Sequence, residues 1–142
     1  MRKFVYAARL VQDRKDGGYV VTFRDIPEAV TQGDTVEAAL EEASGALQAA
    51  IEARIMDGMD IPSPSVSKRG ERLVPVPVQT ALKAALYLEM RSAGISRVGL
   101  ARRLGMDEKE ARRMLDPRHP SKADRLERAL AVLGRHAEIR VA

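Results

Sequence analysis

Residues 96–115 read SRVGLARRLGMDEKEARRML. The stretch divides at Gly105. Before it, Val98, Leu100, Ala101 and Leu104 recur at helical spacing behind Ser96, whose hydroxyl can accept from an unpaired amide of the first turn. Gly105 suits the left-handed backbone with which many helices end. Beyond it, Met106 brings an apolar side chain to the turn and Asp107 can cap a second helix. Ala111, Met114 and Leu115 form the inner side of that helix, and Glu108, Lys109, Arg112 and Arg113 its outer side. Two short helices joined by a tight turn, with cations facing outward on the second, predict a helix-turn-helix, which seats its second helix in the major groove of DNA.

An arginine can bond guanine through two parallel hydrogen bonds, so Lys109, Arg112 and Arg113 are the expected base readers. Arg97, Arg102, Arg103 and Arg118 are expected beside phosphates, with Asp107 and Glu108 at the same surface. Working outward, Gln79–Arg91 predicts a helix that is apolar nearly all round, through Ala81, Leu82, Ala84, Ala85, Leu86, Tyr87, Leu88 and Met90. So few polar positions imply burial on more than one side. On the other flank, the prolines of Asp116-Pro117-Arg118-His119-Pro120 close the second helix. Ser121–Leu133 then predicts a last helix, capped by Ser121 and packed through Leu126, Leu130 and Leu133. One such domain touches few bases, so a homodimer or higher even oligomer is expected, with recognition helices roughly 34 Å apart on one face of the DNA.

The amino-terminal half has a different period. In Phe4–Gln12, Phe4, Tyr6, Ala8 and Leu10 alternate with Val5, Ala7, Arg9 and Val11, which is strand spacing. Asp13–Gly18 is a glycine-bearing turn, and Tyr19–Arg24 is the returning strand with Tyr19, Val21 and Phe23 inward. A short third strand is expected over Ala29–Gln32. Thr35–Asp57 predicts a long helix, capped by Asp34 or Thr35, with Val36, Leu40, Ala43, Leu47, Ile51 and Ile55 on one stripe. Ile61–Gly70 reads as a loop. Glu71–Val78 is extended, because Pro75 and Pro77 exclude a helix and permit an edge strand. The expected class is α+β: a β-β-β-α-β module over residues 1–76, then an all-α helix-turn-helix domain over residues 77–142.

Charge follows the same division. Residues 1–70 carry 9 Lys/Arg and 11 Asp/Glu, a net of −2, and residues 71–142 carry 15 and 9, a net of +6. The basic half is the expected partner of a polyanion. There is no cysteine and only His119 and His136, so thiolate or histidine metal sites and disulfides are not expected. No cofactor is called for. The first strand carries no carboxylate, no glycine-rich phosphate loop follows a strand, and Asp16, Asp25 and Asp34 sit at turns or caps; no catalytic residues are assigned and an enzyme is not expected. The amino terminus lacks a signal-peptide core and no apolar run could span a bilayer, so a cytoplasmic location without membrane association is expected.

The segment YVVTFRDIPEAVTQGDTVEAALEEASGAL resembles the HicB antitoxin family. Phe23, Asp25, Ile26, Pro27, Thr31, Gly33, Asp34, Thr35, Ala38, Ala39 and Leu40 carry the likeness: a strand ending in a Pro turn, then a Thr-x-Gly-Asp-Thr cap leading into an Ala/Glu/Leu helix. Glu28 stands where the family often has glycine. The carboxyl-terminal half is similar to the Xre/Cro-type helix-turn-helix appended in one HicB subclass. The resemblance implies a partial RNase H-like, non-catalytic first module that blocks a basic, mRNA-cleaving HicA-like toxin, and a second module that binds the promoter of its own operon. A mildly acidic first half suits a basic toxin. The toxin contact is expected on the exposed sheet edge and along Arg24–Gly33, with Arg24, Asp25, Glu28 and Gln32 as candidates. The alternative is a stand-alone HicB-like transcriptional regulator with no toxin partner.

Overall fold

The turn at Asp13–Gly18 folds the first strand back on itself because one carboxylate organises it. The Lys15 and Asp16 amides both donate to Asp13 Oδ1, at 3.0 and 3.1 Å, and the Asp13 amide donates to Gly18 O at 2.9 Å. In the computed structural model, which describes residues 1–142, this turn joins β1 (Val5–Gln12) to β2 (Tyr19–Phe23). Then come β3 (Val30–Gly33), helix α1 (Val36–Met56) and β4 (Arg72–Pro75). The four strands form one antiparallel sheet in the order β3-β2-β1-β4.

The pairing places Ala8 opposite Phe23, Leu10 opposite Val21 and Tyr6 opposite Val74, so these side chains share one face. That face and the inner stripe of α1 (Ala39, Ala43, Leu47, Ala50, Ile51, Ile55) make the core of the unit. Leu47 and Ile51 are wholly buried, and each such side chain contributes about 1.5–3 kcal/mol relative to exposure. The opposite face of the sheet leaves Val5, Val11, Val30 and Leu73 exposed. Thr35 caps α1, its hydroxyl accepting from the Ala38 amide at 3.1 Å. The extended segment 71–78 pairs over only Arg72–Pro75, with one further bond from the Val76 amide to Phe4 O at 2.9 Å. The prolines have no amide to continue the ladder.

Met1–Pro77 forms one compact unit and Val78–Ala142 another. The second is helical: α2 (Val78–Ala93), α3 (Arg97–Leu104), α4 (Glu108–Leu115) and α5 (Ala123–Val132). Its core joins Leu86 and Met90 of α2, Leu100 and Leu104 of α3, Met114 of α4, and Leu126, Ala129 and Leu130 of α5. The chain as a whole is a mixed α/β protein with one small antiparallel sheet and five helices.

Two local expectations change. Ser121 does not cap α5. That helix starts at Ala123 behind Lys122, which makes no side-chain cap bond. The Ser121 hydroxyl turns instead to the ammonium of Lys83, 3.0 Å away, and its amide donates to Gln79 Oε1 at 2.7 Å. The second change is Lys83 itself. It lies in the helix expected to be apolar and is 2 % exposed. Position 83 falls on the stripe of Leu86 and Met90, three and seven residues on, but its long stem lets the ammonium leave the core.

Candidate functional site

The local chemistry of 96–115 builds a rigid pair of helices. Ser96 Oγ accepts from the Gly99 amide at 3.0 Å, and Asp107 Oδ1 from the Glu110 amide at 2.8 Å, so each helix starts on a side-chain cap. Gly105 closes α3 at φ +63°, where a side chain would be strained. Its amide and that of Met106 return to carbonyls of the last turn of α3. Leu100, Ala101 and Leu104 on α3, and Ala111 and Met114 on α4, are buried, which fixes which side of each helix faces out.

Lys109, Arg112 and Arg113 are all exposed on α4. At steps of three and four they make one stripe opposite Ala111 and Met114. No hydrogen bond or ion pair within the chain engages their side chains. Arg102 and Arg103 are likewise exposed at the end of α3. The other members of the set have internal duties. Arg97 pairs with Glu108 at 2.9 Å, tying the start of α3 to the start of α4. Asp107 is the cap of α4. Arg118 is exposed in the loop after α4, where its amide donates to Asp116 Oδ1 at 2.9 Å.

Three of the four candidates of the first unit are engaged within it. Arg24 makes two bonds to the Glu71 carboxylate, at 3.0 and 2.7 Å, and a third to Val66 O. Asp25 accepts from both the amide and the hydroxyl of Ser65. Glu28 forms a two-bond pair with Arg54 of α1. Segment 61–70, expected as a plain loop, is therefore strapped through Ser65 and Val66 to the residues that follow β2. Gln32 stands exposed on β3, an outer strand of the sheet. Sequence reasoning missed Glu71, Ser65 and Arg54 because no spacing pattern marks partners 26 to 47 residues apart.

These pairs shift titrations. The Arg24 guanidinium, helped by the Lys68 amide, holds the Glu71 carboxyl at about 2 instead of 4.5. Arg54 lowers the Glu28 carboxyl. Burial, then the nearby Asp25 charge, pushes the Tyr6 phenol up to about 12, and its hydroxyl donates to Pro62 O at 2.7 Å. Because the Glu71 value is lower in the folded chain, its contribution is fully present above about pH 4.5 and is lost as pH falls through about 2. Glu71→Gln should flatten the pH dependence of stability across that window and raise amide exchange over 62–71 at neutral pH. Unchanged exchange would mean that the pair does not hold the strap.

No group of three or more His, Asp or Glu side chains could hold a metal ion. No helix is long and apolar enough to cross a membrane.

A four-stranded antiparallel sheet covered by one capped helix, followed by a helical unit with an outward cationic stripe, defines a two-unit protein of mixed α/β class. Residues 5–85 match the family described as "HicB_like antitoxin of bacterial toxin-antitoxin system". Antitoxin HicB 2 of Photorhabdus laumondii is 39% identical over 127 residues, covering 89% of this chain and 90% of the relative. Antitoxin HicB of Escherichia coli K12 is 36% identical over 124 residues (87% and 90%), and Antitoxin HicB of Pseudomonas fluorescens 33% over 133 residues (93% and 90%). The chain belongs to the HicB-like antitoxin family.

Proposed function

We propose that this chain is the antitoxin of a type II toxin–antitoxin pair. It neutralises a HicA-like mRNA-cleaving toxin through residues 1–76, a non-catalytic, partial RNase H-like module. It represses its own operon through residues 77–142, an Xre/Cro-type helix-turn-helix domain. Family membership supports the antitoxin role. One observation carries the DNA role: the stripe Lys109–Arg112–Arg113 faces outward on a capped helix whose other side is locked into the core. Cations placed this way can meet base edges and phosphates, and a homodimer or higher even oligomer would present two such helices to successive major grooves.

For the toxin, the internal pairing of Arg24, Asp25 and Glu28 shifts the weight to edge strand β3. There Gln32 is exposed and Val30 is 54% exposed. One side of an outer strand has unpaired backbone groups, to which a partner strand can add. The net acidity of the first half favours a basic toxin.

The test is coexpression with the product of a short, basic reading frame beside this gene. The chain should relieve growth arrest and co-purify with that product. Arrest that persists while the chain still binds its promoter would leave the stand-alone regulator as the correct reading. Light scattering should show an even oligomer at micromolar concentration.

A further inference from the structure

Lys83 is the only charged residue that is buried in this chain, and its ammonium is fully occupied. Nζ donates to Arg113 O at 3.3 Å, Asp116 O at 2.7 Å, His119 O, and Ser121 Oγ at 3.0 Å. One turn earlier on α2, Gln79 Oε1 accepts from the Ser121 amide at 2.7 Å. The acceptors come from the last turn of α4 and from the whole connection to α5. A helix end leaves carbonyls without partners, and α3 resolves this with Gly105 in the left-handed conformation. Helix α4 has no such glycine: its C-cap Asp116 is extended, at φ −72° and ψ 113°. A cation from a different helix does that work, and a cation also suits the negative end of the helix dipole. Burial lowers the lysine pKa, with the Asp116 charge opposing.

The backbone held in this way carries Arg112 and Arg113, the expected base readers. We propose that Lys83 is a positioning residue of the DNA-binding face, setting how the end of α4 leaves the core so that these two arginines meet one DNA site together. The proposal rests on the DNA-binding reading given above and deepens it. Lys83 touches no DNA. Its loss misplaces the readers without removing a phosphate contact.

The experiment uses the full-length chain and its own promoter fragment, with scrambled DNA as control, over a range of salt concentrations. Lys83→Met should weaken specific binding at least tenfold. Affinity for scrambled DNA should change less than twofold, and the slope of log affinity against log salt should keep its wild-type value, because that slope counts phosphate contacts. Ser121→Ala, which removes one acceptor without stranding a charge, should lose about threefold of specific affinity in the same pattern, and it carries the test alone if Lys83→Met fails to fold. Wild-type specific affinity in the folded variant overturns the proposal. So does a parallel loss on both DNAs with a slope shallower by about one, the signature of a phosphate contact. Wild-type chain that does not bind the promoter defeats the DNA-binding reading itself, whereas a binding wild type with an unaffected variant removes only the role of Lys83.

Discussion

Replacing Lys109, Arg112 and Arg113 together by alanine should lower affinity for the chain's promoter by about a thousandfold and leave thermal unfolding nearly unchanged. Each well-placed side chain on a base edge is worth about 1–3 kcal/mol of discrimination, and three at the lower part of that range give about 4 kcal/mol, three decades in affinity. The fold should tolerate the change because all three side chains are exposed and unpaired, while Ala111 and Met114 hold the other side of α4. Surface substitutions of this kind alter stability by less than about 0.5 kcal/mol. The salt dependence should become shallower by up to about 3, since any of these cations that lies on a phosphate releases counterions. An electrophoretic or anisotropy titration at several salt concentrations reads both effects. Wild-type affinity in the triple variant would mean that α4 is not the DNA-binding helix.

Gly33→Ala should destabilise the first unit by about 3 kcal/mol or more, as an overpacked site whose neighbours cannot move. A Cβ at Gly33 would lie 2.4 Å from the Ala39 nitrogen, 2.6 Å from Ala39 Cα and 2.8 Å from the Ala38 carbonyl carbon. All three are backbone atoms of the first turn of α1, the turn that Thr35 caps. The methyl must drive the helix off the sheet or pull β3 out of its pairing with Tyr19. A unit of this size loses about 4–8 °C per kcal/mol, so the melting temperature should fall by more than about 12 °C. Gly45→Ala is the matching control. It sits inside α1 with nothing beyond its own helix backbone within 4 Å of the added carbon, and it should stabilise by up to about 1 kcal/mol through helix propensity. Equal melting of wild type and Gly33→Ala would show that strand and helix do not approach so closely.

The sequence marks Gly33 as part of a cap motif but not how closely α1 approaches it, and Lys83 looks like any other lysine in a helix. The elements themselves were legible. Tyr6, Ala8, Val21 and Phe23 alternate, α1 spans 36–56 where the apolar stripe predicts 35–57, and Ser96, Gly105 and Asp107 stand at their caps. Each of those signals acts within about one helical turn or between adjacent residues of a strand, so spacing along the chain carries it. Partners set by long loops left no such mark. Nothing near Arg24 announces Glu71, and nothing near Glu28 announces Arg54. Their side chains meet only where distant segments come together in space, so three of the expected contact charges are also paired within the unit.

Local periodicity and end chemistry, by themselves, determined where this chain makes strands and helices and which side of α4 turns its cations outward. Tertiary structure alone decided which polar groups are already spent and which are available. The cage around Lys83 shows why: its acceptors lie 30 to 38 residues away, and they converge because chain ends and loops must satisfy buried carbonyls in three dimensions.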